Sequence, residues 1–404
     1  MYLSRLVNLL ARHGHEVDVI HCVDSYKTLT KREPGQPSAN PPGVTVHSLR
    51  SRLGSLSPLI AQQTGGTWPK TKEILEILSS KRFDVIHYHN ISLLGPKVLR
   101  LEPQDPHFIK AYTVHEHWLV CPMHVLWKNN ERICDKPECL RCTLKFRRPP
   151  QWWRYTRLLK KCAASVDVFI SPSEFTRRMH QERGFKPPMA VIPHFAPAQD
   201  EAPSADESSP HPRPYFLFVG RLEKIKGAET LLPAFRGYAH ADLLIAGTGT
   251  YEAELRRMAQ GMTNVHFLGA QPQDKLQRYY RHALAVLVPS SGYEVFGLVV
   301  LEAYQQRTPV IARSLGGLTE VVEQSRGGGF LYRGNDELLA AMERLRADTA
   351  LRREMGNRGY QAYQEYWTEE AHLKAYLDLL AETARRKWGS VPWDLGSEGE
   401  YNYG

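Results

Sequence analysis

Short β-branched and aromatic runs alternate with helical patterns along almost the whole chain, and one stretch without an apolar period divides them into two sets. EVDVIHC, DVIHYHN, FIKAYTVHEH and VDVFISPS come first; YFLFVG, DLLIAGTG, NVHFLG, ALAVLVPSS and PVIARS follow. Between the sets lies AQDEAPSADESSPHPR, rich in Pro, Ser, Ala and acids, which is the composition of a linker. The rhythm predicts an α/β protein of two doubly wound parallel sheets with helices on both faces. The domains fall at 1–195 and 215–385, with the linker at 196–214 and a tail at 386–404, and the last helices could return to the N-terminal domain. A length of 404 residues agrees with two cores rather than one. Ligands of open parallel sheets sit beyond the carboxyl ends of the strands, so the residues just after each run, facing an interdomain cleft, are the candidates for chemistry.

The start of the chain departs from this pattern. Leu3, Leu6, Val7 and Leu10 follow helical spacing, and HGHEV then leads into a strand. The usual opening strand and its glycine-rich loop are therefore expected to be missing from the N-terminal domain, leaving a gap or a substitute strand between its neighbours. Either the native start lies upstream or another segment fills the place.

Charge is unevenly spread. Residues 1–195 hold 29 of the 52 Lys and Arg and 16 of the 43 Asp and Glu, a formal +13 against −4 for the remainder. Such a basic half suits nucleic acid, an anionic membrane surface or a negatively charged substrate, and does not choose among them. No apolar run approaches the roughly 18 residues of a membrane span, and the first residues lack a secretory leader pattern. The expectation is a cytoplasmic protein, with peripheral contact to the inner face of the membrane left open.

In VGRLEKIKG, Arg221 and Lys226 fall in a strand-to-helix turn, where a planar fork and a mobile point charge together suit a diphosphate. Farther on, YEVFGLVVLEA sets Glu294 and Glu302 on either side of Gly297, which reads as a helix start. Acids beside a helix N-terminus repel an anion unless they contact something else.

Together with IAGTGT, NVHFLG and TPVIARSLGGLTEVV, in this order and each near a strand end, these motifs resemble the retaining glycosyltransferases of the GT-B fold, family 4. GHEVDVIHC, DVIHYHN, TVHEHW and SPSEF are weaker matches before the linker. The resemblance implies two Rossmann-like domains facing a cleft and a nucleotide-sugar donor. It implies that Glu294 contacts hydroxyls of the donor sugar, that Glu302 contacts the ribose, and that backbone N–H groups around Phe296, Gly297 and Leu298 receive the diphosphate. Glu302 lies about 7.5 Å of helix rise beyond Gly297, far enough to reach the nucleoside. By the same matching, His115 approaches the donor sugar, although Glu116 stands where the family carries Asp. Gly247, Gly249, Leu268 and Gly269 would border the nucleobase, whereas Gly316 and Gly317 read as turn residues. The catalytic set is thus His115, Glu294, Arg221 and Lys226, with no catalytic metal expected because the chain contains no D-x-D.

Cys121, Cys134, Cys139 and Cys142 form a C-x12-C-x4-C-x2-C pattern inside a Cys-rich insertion at 118–150. It suits a structural zinc; free thiols in a loop are the alternative. Cys22 and Cys162 read as core. The stretch LKFRRPPQWWRYTRLLKK combines basic residues with Trp152, Trp153 and Tyr155. It suits a helix packed under VDVFISP or, as second choice, contact with an anionic membrane; nucleic acid is not expected. The function expected is transfer of a sugar from a nucleotide-sugar donor, UDP before GDP, to a glycan, lipid-linked or small-molecule acceptor. A non-catalytic sugar-nucleotide-binding relative and a membrane-associated scaffold are the rival readings.

Overall fold

Residues 2–34, 40–197 and 208–393 are described by the computed structural model; most of the sequence-defined linker and of the tail lies outside them. The chain enters through a helix, Tyr2–Arg12, which buries Tyr2, Leu6, Val7 and Leu9 and leaves Leu3 exposed. The strands of the N-terminal half are β1 Val17–Cys22, β2 Val44–Leu49, β3 Val85–Tyr88, β4 Ile109–Thr113, β5 Trp127–Lys128, β6 Arg132–Ile133, β7 Val168–Ser171 and β8 Met189–Val191. β1 and β2 pair in parallel, and β3, β4, β7 and β8 form a separate parallel sheet in that order. Among the described residues no strand joins β1 to β3, so the expected gap is present and residues 2–12 do not fill it as a strand. β5 and β6 make a small antiparallel hairpin within the Cys-rich insertion.

The C-terminal half holds β9 Tyr215–Val219, β10 Asp242–Ala246, β11 Val265–Gly269, β12 Val286–Val288, β13 Val310–Arg313 and β14 Gly329–Tyr332. They form one parallel sheet in the order β11-β10-β9-β12-β13-β14. Its central strand shows why a fully apolar run is needed. Tyr215 and Leu217 enter the apolar cluster on one face of the sheet, Phe216 and Phe218 the cluster on the other, so both faces are covered.

Five strands escape sequence reading for physical reasons: β5 and β6 are only two residues each. β2, VTVHSL, is only partly buried and carries polar residues on both faces; β8 is three residues long; β14 opens on glycine after two more, a loop composition. The last helix, Glu369–Trp388, crosses the boundary drawn at 385. It lays Tyr376, Leu380 and Ala384 on Ile109, Ala111, Val168 and Ile170 of the N-terminal sheet.

Two local expectations are corrected. The basic aromatic stretch is not one helix: Trp152–Tyr155 is a 3₁₀ turn, and a separate short helix, Leu158–Ala163, follows. Trp153 is buried and donates Nε1–H to the Gln62 carbonyl at 2.8 Å, and Arg154 lies over both Trp118 and Trp153. Trp152 and Tyr155 point outward. Cys22 is half-buried rather than core, capping the next helix through Ser25 N–H; Cys162 is buried.

Candidate functional site

A cavity of about 1960 Å³ lies between the halves and is bordered by strand ends of both. From the C-terminal half come Arg221, Lys226, Ser290, Glu294, Phe296 and Glu302. The KIKG sequence positions the first two. Lys224–Lys226 is one 3₁₀ turn closed by Gly227 at φ 71°, and a Cβ there would stand 2.2 Å from the Pro289 carbonyl oxygen. Only glycine lets that turn lie against the loop leading to Glu294.

Lys226 Nζ donates to Glu294 Oε1 at 2.6 Å, and Ser290 Oγ–H donates to the same oxygen at 2.7 Å. Burial pushes the Glu294 carboxyl up, but the Lys226 charge and these hydrogen bonds outweigh it and hold the group below the ordinary glutamate range. Arg221 is largely exposed and pairs with Glu223 at 2.9 Å. Gly297, at φ 117°, caps the buried helix Leu298–Gln305, whose first residues Leu298 and Val299 line the cavity; the first N–H groups of a helix have no acceptor one turn earlier within it. Glu302, 8% exposed, accepts from Tyr280 Oη–H at 2.9 Å and pairs with Arg5 at 3.3 Å.

The N-terminal half supplies histidines. His115 is hydrogen-bonded to His89 at 2.8 Å and to His194 at 3.3 Å, through opposite ring nitrogens. Burial lowers His115 to about 4, so the ring is neutral at pH 7. Tyr2 covers the cluster, its ring 4.3 Å from that of His194, and its hydroxyl donates to His372 at 2.9 Å. Glu116 turns away to His124 at 2.7 Å.

Interdomain hydrogen bonds fix the two sides. Ser173 and Thr176 hydroxyls donate to the Val295 carbonyl at 2.6 and 3.0 Å, and the Glu320 carboxylate accepts Glu174 and Phe175 N–H at 2.9 Å each. The loop between Glu294 and Gly297 is thus held by the SPSEF segment of the opposite half.

Of the sequence-predicted residues, His115, Arg221, Lys226, Glu294, Phe296, Gly297, Leu298 and Glu302 line one cavity. Gly247, Gly249, Leu268 and Gly269 do not line it. Gly247 and Gly249 are packing glycines, where a Cβ would meet the Gly220 and Leu222 carbonyl oxygens at 1.9 and 2.2 Å. Sequence reasoning missed Arg5, His89, His194, Tyr280 and Ser290; HYHN and IPHF, each a histidine at the end of a β-branched run, were the available signs. It also gave Gly316 and Gly317 no role, yet Gly317 N–H donates to the Glu294 carbonyl at 2.9 Å.

The four cysteines of the insertion border one small pocket with Trp127 and Lys128. Burial pushes the Cys121 and Cys139 thiols up. Among the described residues the grouping of three metal-capable side chains with ligand atoms all within 4.8 Å of one another is His211, Asp242 and His266. That cluster lies at the starts of the strands, away from the cleft, and Arg213 already pairs with Asp242 at 2.9 Å.

Comparison with known proteins matches residues 1–199 to the family model Glycosyltransferase Family 4 and residues 200–362 to Glycosyl transferases group 1. An uncharacterized glycosyltransferase of Methanocaldococcus jannaschii is 35% identical over 158 residues, 37% of this chain and 40% of that protein. The O-antigen chain mannosyltransferase C of Escherichia coli is 28% identical over 58% of this chain and 65% of its own. The chain thus spans less than two thirds of the length of these curated relatives. Among solved structures, sucrose-phosphate synthase from Thermosynechococcus elongatus superposes with a TM-score of 0.69 at 23% identity, covering 94% of this chain and 93% of that one. Anabaena HepE in complex with UDP gives 0.58 at 17% identity, covering 84% and 86%. These likenesses establish two Rossmann-like domains around a cleft.

Proposed function

The chain belongs to the GT-B fold glycosyltransferases, its two halves matching Glycosyltransferase Family 4 and Glycosyl transferases group 1 in turn, and on that premise we propose that it transfers a sugar from a nucleoside-diphosphate donor with retention of anomeric configuration. The observation that carries the reading is the convergence, on one cavity, of Lys226, Arg221 and the Leu298–Gln305 helix start with two carboxylates and a neutral histidine. Cations and helix N–H groups would take the diphosphate. Glu294 and Glu302 would accept hydroxyls of the sugar and the ribose, and His115 would hydrogen-bond the sugar.

In the reaction the bond from the anomeric carbon to the β-phosphate oxygen breaks, its electron pair leaving with the nucleoside diphosphate. The acceptor hydroxyl oxygen bonds to the same carbon on the same face, and its proton passes to the departing phosphate. Lys226 and Arg221 stabilise the negative charge that grows on the leaving group. UDP is the favoured nucleotide, supported by HepE, a protein of the same fold whose structure holds UDP. A GDP-sugar is the second choice. A surface glycan or lipid-linked acceptor is supported by the O-antigen mannosyltransferase, and the exposed Trp152 and Tyr155 beside Arg157, Lys160 and Lys161 suit peripheral contact with an anionic bilayer. Among the described residues no helix is long and apolar enough to cross a membrane.

The experiment is a panel of UDP- and GDP-sugars with a glycan acceptor, following nucleotide release and the anomeric proton of the product. Release without transfer in every pairing, or an inverted anomer, overturns the reading; nucleotide binding without turnover supports the non-catalytic rival.

We propose separately that Cys121, Cys134, Cys139 and Cys142 hold a structural zinc. The shared pocket supports it, although the sulfurs would have to draw together for a tetrahedral site. Metal analysis of protein purified without added metal should give about one equivalent, lost in a Cys139→Ser, Cys142→Ser variant.

A further inference from the structure

The turn that carries Lys226 and the loop that carries Glu294 share one anchor. The Ile225 carbonyl, between the two lysines of KIKG, accepts Ser291 N–H at 2.9 Å and Gly292 N–H at 3.1 Å. A shift of that loop would therefore carry both charged side chains out of register. The groups that back the loop come from the other half of the chain.

Trp127, in the β5–β6 hairpin of the Cys-rich insertion, is 5% exposed. A Cβ at Gly292 would stand 3.4 Å from its Cε3 and 2.3 Å from Ile225 Cγ1, so the indole lies against the loop beside Ile225, and glycine permits the close approach. Tyr293, next in the chain, packs against the apolar cluster of Cys121, Met123, Leu126 and Cys142, its ring 4.9 Å from that of Phe175. One residue past Glu294, the Val295 carbonyl accepts the Ser173 and Thr176 hydroxyls. Gly292, Tyr293 and Val295 all meet the N-terminal half, while Glu294 among them turns its carboxylate to Lys226 and Ser290. The hairpin turn reaches the KIKG turn as well: Lys145, bonded at 2.6 Å, and then Lys224 lower the Glu131 carboxyl.

We propose that the Cys-rich insertion is a clasp on the donor-side loop, with Trp127 as a positioning residue that holds Gly292 and Tyr293 onto the Ile225 carbonyl and so fixes Lys226 relative to Glu294. An aromatic ring suits the task, since it offers a large rigid contact at small entropic cost. Charges aid a departing phosphate only when their place is set beforehand, and a displacement of about 1 Å can cost on the order of a hundredfold in rate. The inference rests on the reading of Lys226 and Glu294 as donor ligands; it requires no metal at the cysteines.

The full chain is compared with Trp127→Ala, Trp127→Phe and Tyr293→Ala by amide hydrogen exchange without donor, steady-state kinetics and calorimetric titration with UDP. In Trp127→Ala, residues 290–297 should exchange about fivefold faster or more, while β10 and β13 keep the parent rate. Its kcat should fall by about tenfold or more with a UDP Kd within about threefold of the parent, because the nucleotide's contacts in the C-terminal half remain. Trp127→Phe should restore most of kcat. Tyr293→Ala, made in the opposite half at a partly exposed residue, should loosen 290–297 and also the hairpin at 127–133, since a clasp acts on both of its sides. Parent exchange rates at 290–297 in both Trp127→Ala and Tyr293→Ala overturn the proposal. So does a loss of kcat that only follows a fall in Tm and is not restored by Trp127→Phe, the mark of a merely structural role. If Trp127→Ala does not fold, the reciprocal loosening in Tyr293→Ala decides by the same criterion. A parent that neither binds UDP nor turns over defeats the donor reading, whereas the exchange readout still decides the clasp.

Discussion

Arg5 of the first helix and Glu302 of the buried donor-side helix are joined across the two halves at 3.3 Å, while Tyr280 holds the other carboxylate oxygen at 2.9 Å. Each oxygen of Glu302 thus already has one protein partner, and ribose hydroxyls would compete with Arg5 for the carboxylate. Arg5→Ala should lower the donor KM by about threefold to tenfold, and Glu302→Ala should raise it with a smaller change in kcat. Steady-state kinetics on both variants, with circular dichroism to verify folding, decide this; an Arg5→Ala enzyme with a higher KM would mean that Arg5 itself binds donor.

Lys226 and Glu294 form the second pair, and their losses should differ in kind. Lys226→Ala removes charge stabilisation of the leaving group and should lower kcat by on the order of a hundredfold. Glu294→Gln leaves the lysine free to hold the diphosphate, so nucleoside diphosphate should bind at least as tightly as in the parent while kcat falls. Calorimetric titration with UDP separates the two; weaker UDP binding by Glu294→Gln contradicts the assignment.

The buried histidines predict an acid limit to stability. Burial lowers His87 to about 3 and His115 and His372 to about 4. A pKa depressed on folding means that the unfolded chain binds the proton first, so the stabilising contribution is complete above pH 6.5 and is lost as pH falls toward 4. Tm measured from pH 7.5 to 4 should fall continuously below 6.5. A His87→Asn, His372→Asn variant should show a shallower fall; a flat profile in the parent would refute the neutral cluster.

Within the basic aromatic stretch, Arg154 and Trp152, two positions apart, should behave oppositely. Arg154 lies over two tryptophan rings, donates to the Trp118 carbonyl at 2.8 Å and is lowered to about 10 by burial. Arg154→Ala should cost about 2–4 kcal/mol in denaturant unfolding, having emptied a packed and hydrogen-bonded place. Trp152→Ala should leave stability nearly unchanged and weaken sedimentation with anionic vesicles. Equal loss of stability in both would remove the membrane reading of Trp152.

Gly317 supplies a test of how Glu294 is held. A Cβ at this position would stand 2.7 Å from the Val295 carbonyl oxygen and 2.9 Å from that of Glu294. Gly317→Ala should therefore shift the loop and reduce kcat at least tenfold with little change in Tm, read by kinetics and thermal unfolding together.

The sequence by itself determined what repeats locally. Runs such as YFLFV and DLLIA, apolar on both faces, are strands of a covered parallel sheet wherever they pack. Helical spacing in residues 2–12 and the KIKG and EVFG turns are likewise written in adjacent residues, because propensity, turn geometry and periodicity act over a few positions. Tertiary structure decided which strand ends face one another. His89, His115 and His194 come from three separate strand ends, and Arg5 reaches Glu302 across 297 positions. The histidines meet because β3, β4 and β8 end in one sheet, and Arg5 meets Glu302 because the two halves dock through Ser173, Thr176 and Glu320.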